Sequence, residues 1–291
     1  MQEGVSVAAL CRTAGMSRQN YYQERRGRQR RQVEEDLVVD LVQAERQLQP
    51  ELGGRKLLVR IRSGLKEAGI QMGRDLFFDL LRSRNLLIQR KKRGKKTTES
   101  RHSFRVYRNH YKDLEVTEAH QAWLADLTYI RTEEGFLYLS QISDAASHKI
   151  IGYEASDRLE AEGCLASLEQ ALGQLPEGKQ PLHHSDRGIQ YCCRAYTEKL
   201  KEGKLSISMT EENHCYENAQ AERLNGILKQ EYGLGACFRT KAEARQAVDQ
   251  AVWLYNHLRP HMSLGYRTPS EVHREAGQKK EKRSKKESKT A

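Results

Sequence analysis

Apolar positions along the chain change their period near residue 115. Before it they recur every three to four residues, the spacing of amphipathic helices. VSVAALCRTAGMSRQNYYQERR reads as a helix, a tight turn at Gly15, and a second helix capped by Ser17 and opening with Arg18, Gln19 and Asn20. This is the grammar of a helix-turn-helix, in which side chains early in the second helix meet base edges, although a plain helical hairpin has the same pattern. Residues 33–88 repeat it: VEEDLVVDLVQAERQL is amphipathic, KLLVRIRSGLKEAG follows, the chain breaks at Gly69–Gly73, and RDLFFDLLRSRNL opens with Arg74. From about 117, HQAWLADLTYIR, FLYLSQISDA and HKIIGYEAS read as strands, with Gly135 supplying a hairpin turn. Helices then alternate with the short strands PLHHSD and LSISMT, and two long amphipathic helices, ENAQAERLNGILKQEY and RTKAEARQAVDQAVWLYNHL, close the region. The predicted fold class is α/β, a mixed sheet flanked by helices and preceded by all-α helix-turn-helix segments. Trp123 and Trp253 read as core residues.

Charge divides the chain in the same places. The 291 residues carry a formal charge of +11. Residues 1–112 hold 26 basic and 12 acidic side chains, residues 113–275 hold 17 and 25, and residues 276–291 hold 7 and 2. An acidic middle lies between basic flanks, which suits flanks that hold a polyanion such as nucleic acid and a middle that does something else. The expected divisions are a helix-turn-helix segment (1–32), a second helical domain (33–90), a basic linker (91–116), the α/β core (117–275) and a disordered basic tail (276–291). Aromatic residues among the linker's cations, Phe104, Tyr107 and Tyr111, suit base stacking or docking equally well. No run approaches the ~18 apolar residues of a membrane span, and the N-terminus has no secretory pattern. A cytoplasmic, nucleoid-associated protein with reduced thiols is expected, since its six cysteines are scattered without CxxC spacing.

Three carboxylates stand out. Asp126 interrupts the apolar strand WLADLTYI, where a charge is costly unless it is paired or binds a cation. Asp186 ends the strand LHHSD, and Glu222 lies on the helix that begins near Asn218, a good N-cap residue. If the first and fourth strands are neighbours, all three converge and push one another's pKa upward. Oxygen ligands alone favour Mg²⁺, with Mn²⁺ as a substitute, and two such ions are the arrangement that serves phosphodiester displacement. Lys229, two helical turns after Glu222, places a cation on the same face for a phosphate backbone. Asp144 is a weaker fourth acidic candidate. His183, His184, Cys192 and Cys193 are too crowded in sequence to form a tetrahedral zinc module. Ser185 in HHSD lacks the glycines of a nucleophile elbow.

The ordered blocks WLADLTYI, HSDRGIQY, ENAQAERLNGILKQE and YNHLRPHMSLGYRTPSEV, with 35 residues between Asp186 and Glu222, resemble bacterial insertion-sequence transposases that have a retroviral-integrase-like core, specifically the product of their second reading frame. The resemblance runs from about residue 5 to 273. It implies a ribonuclease H-like core, with Asp126, Asp186 and Glu222 as the catalytic, metal-binding triad and Lys229 on element-end DNA. Arg18, Gln19, Asn20 and Arg74 are the other candidate DNA contacts. It further implies terminal inverted repeats and target DNA as partners, a homo-oligomer on DNA, and an upstream-frame helix-turn-helix/leucine-zipper protein as partner or fusion. Asn256, Arg259 and His261 in YNHLRPH would then support the active site. A structure-selective nuclease of the same fold and a catalytically silent DNA-binding regulator are the alternative readings.

Overall fold

The computed structural model describes residues 6–88, 105–211 and 218–275. The chain forms two compact units, Met1–Leu48 with Leu52–Ile88, and Gln49–Glu51 with Gln89–Ala291.

The first unit is helical. Helix α1 (Val7–Thr13) is capped by Ser6, and the turn after it passes through Gly15 at φ 64°. Ser17 then caps α2 (Arg18–Leu48), its Oγ accepting from the Asn20 backbone N–H at 3.1 Å. The helix does not stop at residue 32, where a boundary was expected. It runs on unbroken for 31 residues, helped by the i,i+4 pairs Arg28–Glu24 and Arg30–Glu34, each worth about 0.2–0.5 kcal/mol on an exposed face. Only its C-terminal half finds a core: Val38 and Val42 pack with Leu57, Leu58, Ile61 and Leu65 of α3 (Gly54–Glu67) and Phe77, Leu80 and Leu81 of α4 (Arg74–Ser83). Gly64 lets α3 approach α2, since a Cβ there would lie 3.0 Å from Leu41.

The second unit is built on a sheet of β1 (Ala122–Thr132), β2 (Gly135–Asp144), β3 (Ile150–Ser156), β4 (Leu182–Ser185) and β5 (Ser206–Met209), in the order β3-β2-β1-β4-β5. A short β6 (Cys237–Phe238) pairs with the far end of β1. The first three strands are antiparallel, turning at Gly135 with φ 108°, whereas β4 and β5 run parallel to β1. Parallel pairing needs crossovers, and α5 (Ala161–Gly173), the short α6 (Ile189–Cys192) and α7 (Arg194–Glu202) provide them. Strand alternation sorts side chains to two cores. Trp123, Ala125 and Ile142 face one core with Cys164 and Leu168 of α5, while Ile130, Leu137 and Leu139 face the other with α8 (Ala219–Glu231) and α9 (Lys241–His257). Trp253, read from sequence as core, is 53% exposed and stacks on His257. It lies about 200° around α9 from the buried Ala251, so it faces away from the sheet.

Residues 105–116, expected as linker, lie against this sheet. Tyr107 packs on the first core, Tyr111 stacks on His184 with ring centroids 4.9 Å apart, and Ser208 Oγ accepts from the His110 N–H at 2.9 Å. Tyr111 therefore has a docking role. Phe104 and the rest of the basic run, residues 89–104, lie outside the described residues, as does the tail from 276.

Small residues let α5 sit close to the sheet. Ser140 and Ser167 share a hydrogen bond at 2.9 Å, and a Cβ on Gly152 would fall on the Ser167 carbonyl. Gly152→Ala should therefore destabilise the sheet unit by about 3 kcal/mol or more, at the upper end of overpacking costs. Gly226→Ala, in the interior of α8 with nothing within 4 Å of the added methyl, should stabilise by about 0.5–1 kcal/mol. Calorimetric unfolding of the two variants checks both signs.

Candidate active site

Asp126 occupies the middle of β1, opposite Gln141 in the β1–β2 ladder. On the other side β4 runs alongside with Leu124 level with His184. Two residues further in that register, just past the end of β4, comes Asp186. Its Oδ1 accepts from the Gly188 N–H at 2.9 Å, and a Cβ at Gly188 would sit 2.9 Å from that oxygen, so the glycine leaves room for the turn. Arg187 is drawn away to the Thr210 carbonyl, 2.6 Å from its Nε.

Glu222 comes in from the first turn of α8, where it is exposed. Leu224 and Leu228 hold the helix to the sheet. Asn218 takes the N-cap position of α8, as expected, but its side chain makes no capping hydrogen bond. Its amide Nδ2 instead donates to the Ala125 carbonyl at 3.2 Å, tying the start of α8 to the residue before Asp126. Residues 212–217, which lead into this helix, lie outside the described residues.

The three carboxylates share one electrostatic neighbourhood. The Asp126 carboxyl is pushed up to about 7, first by burial and then by the negative charge of Asp186, with Glu222 adding to it; hydrogen bonds from the Leu127 N–H and Asn225 act in the opposite direction. Lys229 lies within reach of the same charge. Burial lowers its pKa, and Asp126 pulls it back up. Among the described residues no three His, Cys, Asp or Glu side chains are close enough to clasp a metal ion as they stand. Coulombic coupling reaches further than ligation, and like charges without a cation hold apart. The donor chemistry nonetheless fits a divalent cation: an oxygen-only set whose most buried member is strained toward protonation by its neighbours.

Side chains that the sequence had not singled out, Asn225, Gln141 and Gln220, brace this arrangement together with three that it had, Asn256, Arg259 and His261. Asn225, one turn after Glu222, donates to Asp126 Oδ2 at 2.7 Å and accepts from the buried Gln141 Nε2 at 2.7 Å. The one amide side chain in LSQIS and the asparagine at i+3 from Glu222 were the available signals. At the N-terminal end of α8, Gln220 bonds His148 at 2.7 Å. At its C-terminal end, Arg259 grips Glu231 with two hydrogen bonds of 2.8 Å while Arg259 also meets His261 at 2.9 Å. Asn256 pairs with both backbone groups of Ile150 at 2.9 Å. Within YNHLRPH, Arg259 thus braces the helix that carries Glu222 and Lys229, while Asn256 ties α9 to β3.

Asp144 is not part of the set. It is fully buried and accepts from the His120 N–H at 2.6 Å and from Ser147 through both N–H and Oγ. Burial raises its carboxyl, but hydrogen bonds from His273, Ser147 and the His120 N–H outweigh that and hold it below the ordinary value. His184 and Ser185 are buried as well, and Ser185 donates to the Asp186 carbonyl at 3.0 Å, which leaves no exposed nucleophile. In the helical unit, Arg18, Gln19 and Asn20 are exposed at the start of α2, and Arg74 is exposed at the start of α4 in an ion pair with Asp75 at 2.8 Å.

A mixed sheet of this order, with a carboxylate on its central strand, a second at the end of the adjacent parallel strand and a third on a helix laid across them, defines a ribonuclease H-like integrase core. The integrase core domain family matches residues 116–215 and again residues 204–269. The chain is 32% identical over 265 residues to the uncharacterized 31 kDa protein of insertion element IS600 from Shigella sonnei, a match covering 90% of this chain and 96% of that protein. It is 36% identical to the transposase of IS629 from the same organism across 62% of this chain and 61% of that one. It is 34% identical to the transposase InsF of IS3A from Escherichia coli K12 across 55% and 56%. Among solved structures it is similar to the HTLV-2 integrase catalytic core domain, with 18% identity, 53% and 96% of the two chains covered, and a TM-score of 0.43. The chain belongs to the integrase-core transposases of bacterial insertion sequences.

The raised pKa of Asp126 has a consequence for stability. Because the folded-state value, about 7, exceeds the ordinary 3.8, ionising this group works against folding. The penalty is absent below about pH 4, grows as pH rises and is complete above about pH 7. In chelator-treated protein, Asp126→Asn should therefore raise the unfolding temperature at pH 8, by about 2–4 °C for each kcal/mol relieved, with the gain vanishing near pH 4. Thermal melts across that range test it, and an unchanged or lower melting temperature at pH 8 counts against the site.

Proposed function

We propose that Asp126, Asp186 and Glu222 form the catalytic centre of this transposase and hold divalent cations, Mg²⁺ with Mn²⁺ as substitute, two at a time, for cleavage at the element ends and strand transfer into target DNA. The observation that carries this reading is geometric: the parallel β1–β4 register brings Asp186 level with Asp126, and Asn225, one turn from Glu222, reaches Asp126 from α8 at 2.7 Å. The other two carboxylates nonetheless lie 60 and 96 positions from Asp126 in the chain. Bound there, the cations would activate a water or hydroxyl and stabilise the departing oxygen at the scissile phosphodiester.

The chain's own groups do the positioning. Asp126 is rigid, set in a strand and held through both oxygens. Asp186 is fixed by the turn at Gly188. Glu222 stands exposed at the helix start, on the solvent side from which DNA would arrive. Lys229, half-buried on the same helix, supplies positive charge for a backbone phosphate at the element end. Arg18, Gln19, Asn20 and Arg74, all exposed in the helical unit, serve DNA binding in this reading. Water first attacks the phosphodiester at the element end: a P–O bond to water forms, the bond to the 3′ oxygen breaks, and that oxygen leaves as a hydroxyl. The freed 3′-OH then attacks a target phosphodiester in the same centre: its oxygen bonds to phosphorus, the bond to the target's own 3′ oxygen breaks, and that oxygen leaves as a hydroxyl, so no covalent protein–DNA intermediate is required.

The acting form is a homo-oligomer on terminal-repeat DNA, working with an upstream-frame helix-turn-helix/leucine-zipper product as partner or fusion, in the cytoplasm at the nucleoid. No helix among the described residues is long and apolar enough to cross a membrane.

Asp126→Asn, Asp186→Asn and Glu222→Gln should each lower cleavage of element-end DNA and strand transfer from precut ends by a thousandfold or more while leaving DNA affinity within about twofold. Assays run with Mg²⁺, with and without the upstream product, measure both. Full activity in any one variant removes that residue from the centre, and cleavage without joining by the wild type would favour a nuclease.

A further inference from the structure

Gln141 is a costly residue for its position. It lies in the middle of β2, 1% exposed, where an aliphatic side chain would fill the same volume without desolvating an amide. Its Nε2 makes one short hydrogen bond, to Asn225 Oδ1 at 2.7 Å, and its Oε1 is buried with no hydrogen-bond partner. An unpaired buried carbonyl is a penalty that packing alone gives no reason to keep. What Gln141 supplies is a donor aimed at a single acceptor.

That acceptor decides the orientation of Asn225. An asparagine amide has a donor end and an acceptor end of nearly equal shape, so its direction is set by its partners. Asn225 sits between Gln141 and Asp126. Only with its carbonyl toward Gln141 does its NH₂ face Asp126, which it does at 2.7 Å from Oδ2. If the Gln141 donor is lost, only Asp126 is left to orient the amide; the carbonyl end loses its anchor, and Asn225 can move with the carboxylate instead of fixing it. Asp126 Oδ1 is meanwhile taken by the Leu127 N–H at 3.0 Å. Both oxygens are thus restrained by one donor each, and their remaining lone pairs are left for a cation.

We propose that Gln141 and Asn225 form a positioning relay for Asp126, in which Gln141 acts only through Asn225. The relay rests on the catalytic reading above. It also joins the two elements that must stay in register, since Asn225 belongs to the helix that bears Glu222 while Gln141 and Asp126 are cross-strand neighbours. Neither relay residue touches substrate.

The test uses the full chain and Mn²⁺ alone as the probe. Binding is measured by calorimetry, unfolding temperature is measured without metal, and the Mn²⁺ concentration for half-maximal cleavage is read separately from the maximal rate. Asn225→Ala and Gln141→Leu should each weaken Mn²⁺ binding by about 10–100-fold, the usual effect of removing a group that orients a ligand, and should raise the half-maximal Mn²⁺ concentration correspondingly. The double variant should be no weaker than Asn225→Ala. Gln141→Leu should unfold within a few degrees of the wild-type temperature, because it removes one unpaired carbonyl and leaves another, Asn225 Oδ1, without its donor. If Asn225→Ala does not fold, Gln141→Leu decides alone. Wild-type Mn²⁺ affinity in Gln141→Leu and Asn225→Ala, with binding lost in Asp126→Asn, overturns the relay and leaves the centre standing. Additive losses in the double variant also overturn it. Wild-type affinity in Asp126→Asn refutes the centre itself, and the relay with it.

Discussion

A negative charge in the apolar middle of a β-strand is the constraint on which the sheet unit depends. Asp126 is only partly exposed in β1, so water solvates its charge poorly and the groups around it either compensate the charge or exploit it. A backbone N–H and the Asn225 amide each donate to it, Lys229 lies within its field, and two further carboxylates raise rather than relieve its free energy. Such an arrangement is unfavourable for an isolated protein and favourable for one that binds cations. Active sites commonly trade stability for function in this way.

The scaffold's task is to keep that arrangement from relaxing. Parallel pairing of β4 with β1 brings Asp186 level with Asp126, and the turn at Gly188 prevents its side chain from swinging out. Helix α8 is secured along its length: Asn218 and Gln220 at its start, Leu224 and Leu228 on the core, and the buried Arg259–Glu231 pair at its end. A buried ion pair adds little net stability but fixes geometry, and here it fixes the far end of the helix that carries Glu222. The same logic accounts for the close seat of α5, where Gly152 and the Ser140–Ser167 contact remove any slack on the opposite face.

Much of this was legible in the residues. Asp126 announced itself as a charge in an apolar run and the strand sequence by alternation, while Asp186 and Glu222 were singled out by the spacing that the resemblance to the transposase family made meaningful. The failures have a common cause. Asn218 takes the N-cap position that its residue type suits, yet its Nδ2 is spent on a strand carbonyl and its side chain makes no capping hydrogen bond. Asp144 shares the local signature of Asp126, an acid in a strand. Only the positions of His120, Ser147 and His273, remote or turned back in sequence, make it a satisfied structural group. Trp253 was expected in the core, whereas helical phase puts it outside. The break expected at residue 32 is absent because exposed i,i+4 ion pairs carry α2 through a stretch with no apolar face.

By itself the sequence determined the local matters: where helices and strands form, where the charge divides, and which carboxylates stand in unfavourable settings. These depend on side-chain period and on free energies that each residue brings with it. Tertiary structure alone decided which polar groups meet. Gln141 and Asn225 are 84 residues apart, and neither has a property that predicts the other. Their pairing follows from β2 lying beside β1 while α8 crosses the same face, and hydrogen-bond direction is fixed only once both neighbours are present.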